Sequence, residues 1–262
     1  MREFSAEYLR TTRAGMWAES REALSDLALD SRERVLDVGC GTGELTAVLR
    51  EETEASVVGL DADRDLLAHV SGPTVQGDAL SLPFPDASFD LVVCQALLIN
   101  LPEPARAVRE FARVSSDRVA AIEPDNGAVS ITSTADPEAR LAERARDLYL
   151  AGVETDVTLG ADAADVFETA GLSGISTRRY DHERTVEPPY SAAAIEAARR
   201  KASGASLDDD RATMLAGDAT PEQLDELRAA WRSMGREAVA QMQSESYHRH
   251  ERVPFFVTVG RV

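Results

Sequence analysis

Three carboxylates in this chain, Asp37, Asp61 and Asp78, lie in or directly after short apolar β-type runs. The first leads into three alternating glycines, Gly39, Gly41 and Gly43, and a helical pattern starts directly after them. Glycines at a strand-to-helix turn permit positive φ and close backbone approach, and the amide-rich start of a helix suits an anion or polar ligand. Asp61 ends the second run, eighteen positions after Gly43, where a carboxylate can accept both hydroxyls of a ribose. Asp78, beside the small Ala79, suits an exocyclic amine with an apolar neighbour for a flat ring. Asp37 and the turn amides can hold the charged ends of an amino acid. Ribose, purine and amino-acid tail together describe S-adenosylmethionine. The dinucleotide fingerprint GxGxxG needs a glycine where this chain has Glu44, so an NAD-dependent oxidoreductase is the weaker alternative. It also leaves Gly77-Asp78-Ala79 unexplained.

These residues need a scaffold, and the order of patterns supplies one. Arg34–Val38, Ala55–Leu60, Thr74–Gln76, Phe89–Gln95 and Arg118–Glu123 read as strands. Between them lie helical patterns over Glu44–Glu52, Asp63–Val70 and Pro104–Val114, the last with proline suited to its first turn. Such alternation predicts an α/β fold with a doubly wound, mostly parallel, Rossmann-like sheet that binds ligands at the carboxyl ends of its strands. Further helices are expected over Pro137–Ala151, Ala161–Ala170, Ser191–Lys201 and Pro221–Ser244, and strands over Ile175–Val186 and Val253–Val259. The stretch through Asp208-Asp209-Asp210 reads as polar and flexible. We read residues 1–262 as one domain: a helical N-terminal cap over 1–30, a cofactor-binding core over 31–187, a helical insertion or lid over 188–250, and a last core strand over 251–262.

The chain has 262 residues and a formal net charge of −18, with Lys201 its single lysine. An acidic excess of this size opposes nucleic-acid binding and looks like the surface of a halophile's protein. No apolar run approaches the roughly 20 residues that span a bilayer, so the expectation is a cytoplasmic protein without membrane contact. Cys40 and Cys94, the two cysteines, indicate no disulfide framework.

Segments VLDVGCGTGELT (35–46), VVGLDAD (57–63), GDALSLPFPDASFDLVVCQALLINLPEP (77–104), VAAIEPD (119–125) and FFVTVGRV (255–262) resemble the class I S-adenosylmethionine-dependent methyltransferases, closest to the ubiquinone and menaquinone branch. The resemblance implies a seven-stranded sheet whose last strand runs antiparallel between the fifth and sixth. It implies that Asp37, Gly39, Cys40, Gly41, Thr42 and Gly43 surround the methionine and ribose part. Asp61 would take the ribose hydroxyls with Ala62 beside the adenine, Asp78 the adenine amine with Ala79 on the ring, and Gln95 would face the methionyl end. S-adenosylhomocysteine would be the product. The chain departs from the family in lacking a Leu-Lys-Pro-Gly-Gly turn before the fifth strand, where it has Val114-Ser115-Ser116-Asp117-Arg118, and a histidine at Asn100.

Methyl transfer is an in-line displacement from a sulfonium, so the protein must position the acceptor and exclude water. A base is needed only for an acceptor that must lose a proton. Glu123, expected at the pocket mouth, is the candidate, with His248 and His250 behind it. No metal site is expected, since the two histidines lack an evident third ligand. Tyr8, Trp17, Tyr149 and Tyr247 are candidates for an acceptor pocket, and Pro188-Pro189-Tyr190 is set aside as a decoy for an amine-methyltransferase motif. The expected partner is a small-molecule acceptor, with the chain a monomer or homodimer. A non-catalytic sensor that binds the same cofactor is a further alternative.

Overall fold

In the computed structural model the described residues are Ala6, Leu9 and 16–262. The helical cap expected over 1–30 therefore falls partly outside them, and Tyr8 wholly so. What is described there is a short helix over Met16–Glu19, then tighter 3-10 turns over Arg21–Leu27 and Leu29–Ser31.

The chain forms two compact units: residues 1–125, 158–182 and 254–262, and residues 126–157 and 183–253. This differs from the expected division at 188. Segment 126–157 leaves the core because its helix places Leu141 and Ala145 in an apolar cluster with Leu224, Leu227 and Trp231.

In the first unit, strands β1 (Arg34–Val38), β2 (Ser56–Asp61), β3 (Thr74–Gln76), β4 (Phe89–Gln95) and β5 (Ser115–Pro124) pair in parallel in the order β3-β2-β1-β4-β5. β8 (Arg249–Arg261) then runs antiparallel along β5, with Val119 opposite Gly260 and Glu123 opposite Phe256. β7 (Ser173–Val186) pairs with β8, where the Thr177 and Thr258 hydroxyls share a hydrogen bond of 2.9 Å.

Side chains alternate across a strand, and here the alternation fills two cores. Leu36 and Val38, Val92 and Cys94, and Val119 and Ala121 face one cluster, which α2 (Pro104–Val114) and α4 (Ala163–Ala170) complete with Phe111 and Phe167. Val35, Leu91 and Val93, and Ala120 and Ile122 face the other, completed by α1 (Glu44–Glu52) and by Trp17, Leu24 and Leu27. A strand apolar on both faces belongs in a sheet covered on both sides. The missing glycine turn before β5 is explained locally. α2 ends at Val114 and β5 starts at Ser115, while Asp117 accepts a 2.5 Å hydrogen bond from the buried Arg32.

The second unit contains α3 (Glu138–Gly152), α5 (Ala192–Ser203) and the 23-residue α6 (Pro221–Gln243). α6 begins in a capping box between Thr220 and Gln223. α5 and α6 pack so closely that a Cβ on Gly235 would lie 2.3 Å from the Ala202 backbone nitrogen, so only glycine fits there. Two features of this unit differ from expectation. Ser130–Ser133 is an additional strand, β6, antiparallel to residues 249–252 of β8. The stretch expected to be flexible carries helices at Ala205–Asp208 and Arg211–Ala216, because Leu207 and Met214 are buried in the unit's core. Among the described residues no helix is long and apolar enough to cross a membrane.

Candidate functional site

The turn between β1 and α1 is built from left-handed backbone. Gly39, Gly41 and Gly43 have φ of 70°, 56° and 89°, a region that L side chains rarely adopt. In the sequence these glycines read as permitting positive φ and close backbone approach. The geometry gives more local reasons for two of them. A Cβ on Gly39 would fall 2.8 Å from the Leu97 side chain, and one on Gly43 would fall 2.9 Å from Val70. The turn is tied to β2, as the Gly39 and Cys40 amides both donate to the Leu60 carbonyl at 2.7 and 3.0 Å.

Asp61 closes this turn. Its Oδ2 accepts from the Gly41 amide at 2.8 Å and its Oδ1 from the Asp63 amide at 2.9 Å. The side chain is half-buried. An ionised carboxylate offers about four acceptor positions, so each oxygen keeps capacity for one more donor. Asp37 lies deeper, 1 % exposed, and accepts from the Thr46 hydroxyl of α1 at 2.6 Å. That bond locks strand to helix, and Thr46 belongs among the site's supports although sequence reasoning did not single it out. Thr42 is buried and donates to Glu44 at 2.6 Å. Cys40 is buried too, and its surroundings, with Asp37 and Asp61 adding to them, push its thiol well above the ordinary range. It stays a neutral thiol and no nucleophile.

Beyond β2, Ala62 is exposed and its carbonyl accepts from the Gln76 amide at 3.0 Å. Asp78 is exposed, with Oδ1 accepting from the Leu80 amide at 2.9 Å, while Ala79 beside it is buried. Gln95, the last residue of β4, is 4 % exposed and enclosed by the segment before β1. The Trp17 indole N–H donates to Gln95 Oε1 at 3.4 Å, and Gln95 Nε2 lies 2.9 Å from the Met16 sulfur. Trp17 in turn meets Phe255 edge-on, and Tyr180 stacks on the same ring.

Glu123 is not at an open mouth. It is 0 % exposed, and its carboxylate accepts from the Leu97 and Leu98 amides at 3.1 and 2.9 Å and from Ile99 at 3.4 Å, with the Cys94 thiol 3.7 Å away. Burial raises its pKa to about 7 against the pull of those amides. Strand alternation explains the placement. Glu123 shares a face with Val119 and Ala121, whereas Gln95 shares the opposite face with Leu91 and Val93.

The remaining candidates belong to the second unit. Tyr149 is half-buried on α3. Tyr247 is 2 % exposed and donates to Glu138 Oε2 at 2.7 Å, so its hydroxyl is engaged in that unit's core. The same carboxylate pairs with Lys201 and, at 3.1 Å, with Arg249. Tyr190 of the Pro-Pro-Tyr segment donates to the Tyr247 carbonyl and accepts from its amide, each at 3.0 Å, which is a structural clasp. His250 faces Glu183 at 3.3 Å. Among the described residues no group of three or more His, Cys, Asp or Glu converges as for a metal.

Comparison with known proteins locates this geometry. Residues 36–122 match the family model described as a methyltransferase domain, about a third of the chain. Over 107 residues the chain is 36% identical to a demethylmenaquinone methyltransferase of Lactiplantibacillus plantarum, covering 36% of this chain and 45% of that protein. Over 99 residues it is 34% identical to a 27-O-demethylrifamycin SV methyltransferase of Amycolatopsis mediterranei, covering 34% of this chain and 36% of that one. The match thus spans less than half the length of either curated relative. A solved Bacillus halodurans structure, provisionally assigned as a methyltransferase, superposes with a TM-score of 0.55 at 19% identity, covering 93% of this chain and 98% of its own. That likeness establishes the fold, an α/β Rossmann-like arrangement with a mostly parallel, mixed sheet. Residues 36–122 thus match a methyltransferase domain, and the cofactor that this similarity indicates is S-adenosylmethionine.

Proposed function

We propose that the chain transfers a methyl group from S-adenosylmethionine to a small-molecule acceptor, with an apolar or phenolic compound the best-supported class. The observation that carries this reading is the left-handed glycine turn between β1 and α1, closed by Asp61 from the end of β2. The residues present fit the cofactor. Asp61 keeps acceptor capacity on both oxygens for a pair of vicinal hydroxyls, and Asp78 offers an exposed carboxylate beside the apolar Ala79. Asp37, Gly39, Cys40, Gly41, Thr42 and Gly43 would surround the methionine and ribose part, Ala62 would lie beside the adenine, and Gln95 would meet the methionyl end. When bound, the cofactor supplies an activated methyl on a sulfonium centre.

The chain's own work is then binding, orientation and exclusion of water. Trp17, enclosed against Gln95 and Phe255, is the candidate wall of the acceptor side. With Glu123 enclosed, no protein base is assigned, and an acceptor that ionises readily needs none. The two curated relatives are named for demethylmenaquinone and 27-O-demethylrifamycin SV, which supports a small-molecule acceptor here. The test is methyl-labelled S-adenosylmethionine incubated with a panel of hydroquinones and phenols. Label in an organic product supports the reading, whereas a protein that binds the cofactor but labels nothing in a broad panel would favour the sensor alternative.

The formal charge of −18 and single lysine support a halophilic origin for the chain. At low salt, carboxylates spread over one surface repel each other, and salt screens that repulsion beyond roughly 10 Å at 0.1 M. The thermal midpoint is therefore expected to rise between 0.1 and 2 M KCl. An unchanged or lower midpoint would remove the halophile reading without touching the cofactor assignment.

A further inference from the structure

Glu123 lies at the carboxyl end of β5 yet reaches neither solvent nor the face that carries Gln95. Apart from the Cys94 thiol, its hydrogen bonds come from one short segment, the amides of Leu97, Leu98 and Ile99 that follow β4. Three convergent backbone donors fix that segment's height above the sheet. Its first residue, Leu97, is the side chain that stands 2.8 Å from where a Gly39 Cβ would be. A contact path therefore runs from the Glu123 carboxylate through the Leu97 backbone and side chain to the first glycine of the ligand turn.

We propose that Glu123 is a positioning residue for the cofactor turn: its ionised carboxylate holds residues 97–99, and through Leu97 it sets the packing over Gly39. The proposal rests on the cofactor reading above. Leu97 and Leu98 donate to Oε1 and Ile99 to Oε2, so protonation of Oε2 sets an O–H against the Ile99 amide and the arrangement loosens there. The titratable groups bearing on this pocket are the Cys94 thiol from β4, whose hydrogen bond to Glu123 favours the ionised carboxylate, and Asp37 from β1, which acts on Cys94. The Cys94 thiol stays neutral, since burial raises it well above its ordinary value.

The expected signature sets affinity against stability. The Glu123 pKa is raised to about 7 by burial. The contribution of Glu123 to stability is therefore fully present below its unfolded value and is lost as pH rises through about 7. Cofactor affinity should move the other way, because only the ionised form holds the segment. Titrating wild-type protein with S-adenosylhomocysteine should show affinity about tenfold weaker at pH 6 than at pH 8, as for one group titrating between them. Glu123→Gln should bind about tenfold more weakly than wild type at pH 8, with no pH dependence across that range. Affinity that follows stability, or is flat in wild type, would overturn the proposal.

Amide hydrogen exchange separates this from a failure of the cofactor reading. At pH 8, Ile99 should lose at least about tenfold protection in Glu123→Gln, with a smaller loss at Leu97 and Leu98, whose shared acceptor oxygen glutamine keeps, while the rest of β4 and β5 stays protected. Should that variant not fold, wild-type protein compared at pH 6 and 8, corrected for intrinsic exchange, must show the same selective loss. Selective loss without S-adenosylhomocysteine binding at any pH would keep the 97–99 clamp but remove its role in cofactor binding. Unchanged protection at 97–99 would refute the clamp.

Discussion

Asp61→Ala lowers affinity for S-adenosylhomocysteine by about 30- to 150-fold, equivalent to about 2–3 kcal/mol, the scale of a hydrogen-bonded charged group. Two losses add. The proposed acceptor of the ribose hydroxyls disappears, and the Gly41 and Asp63 amides lose the carboxylate that ties the turn to β2. Asp61→Asn divides the two contributions. It keeps one carbonyl oxygen for an amide but replaces the second acceptor by a donor, so it should fall between wild type and alanine. Calorimetric titration of the three proteins checks this, and an affinity for Asp61→Ala within threefold of wild type would remove Asp61 from the site.

Glu138→Gln destabilises the second unit by about 3–5 kcal/mol, the cost of breaking a buried ion pair and leaving its partners uncompensated. The carboxylate is 1 % exposed and serves Lys201, Arg249, Tyr247 and Ser133 together. Burial by itself would raise its pKa, but the Lys201 charge with the bonds from Lys201, Ser133 and Tyr247 outweighs it and holds the group below the ordinary carboxylate range. The sign for pH follows. The stabilisation is present above the unfolded carboxylate value near 4.3 and is lost as pH falls through the lower folded one. Denaturant unfolding of wild type and variant should therefore differ at pH 7 and converge near pH 3. A difference that persists unchanged in acid would mean that shape rather than charge is responsible.

Much of the scaffold was legible in the residues. β1, β4, α1 and the start of α2 are written in runs whose apolar residues alternate between two cores, or in Gly43 and Pro104 at helix starts. What was misread concerns side-chain direction and distant partners. Counting by twos from Val119 and Ala121 puts Glu123 on the face of Cys94, and that count was available in the sequence. Its three amide donors were not, because they come from a turn 24 to 26 positions earlier. Likewise Tyr247 looked like a pocket aromatic until Glu138, 109 positions away, was seen to hold its hydroxyl. β6, only four residues long and polar at three of them, gave no periodic signal to find. The helices at Ala205–Asp208 and Arg211–Ala216 are too short for a periodicity and owe their order to Leu207 and Met214 in the unit's core.

The measurement that tests the central claim most directly is calorimetric titration with S-adenosylhomocysteine and NAD in parallel, at low and at molar salt. The account predicts saturable, one-to-one binding of S-adenosylhomocysteine, none of NAD, and loss of the former in Asp61→Ala. Binding of NAD alone, or of neither ligand by folded protein at either salt, would contradict it.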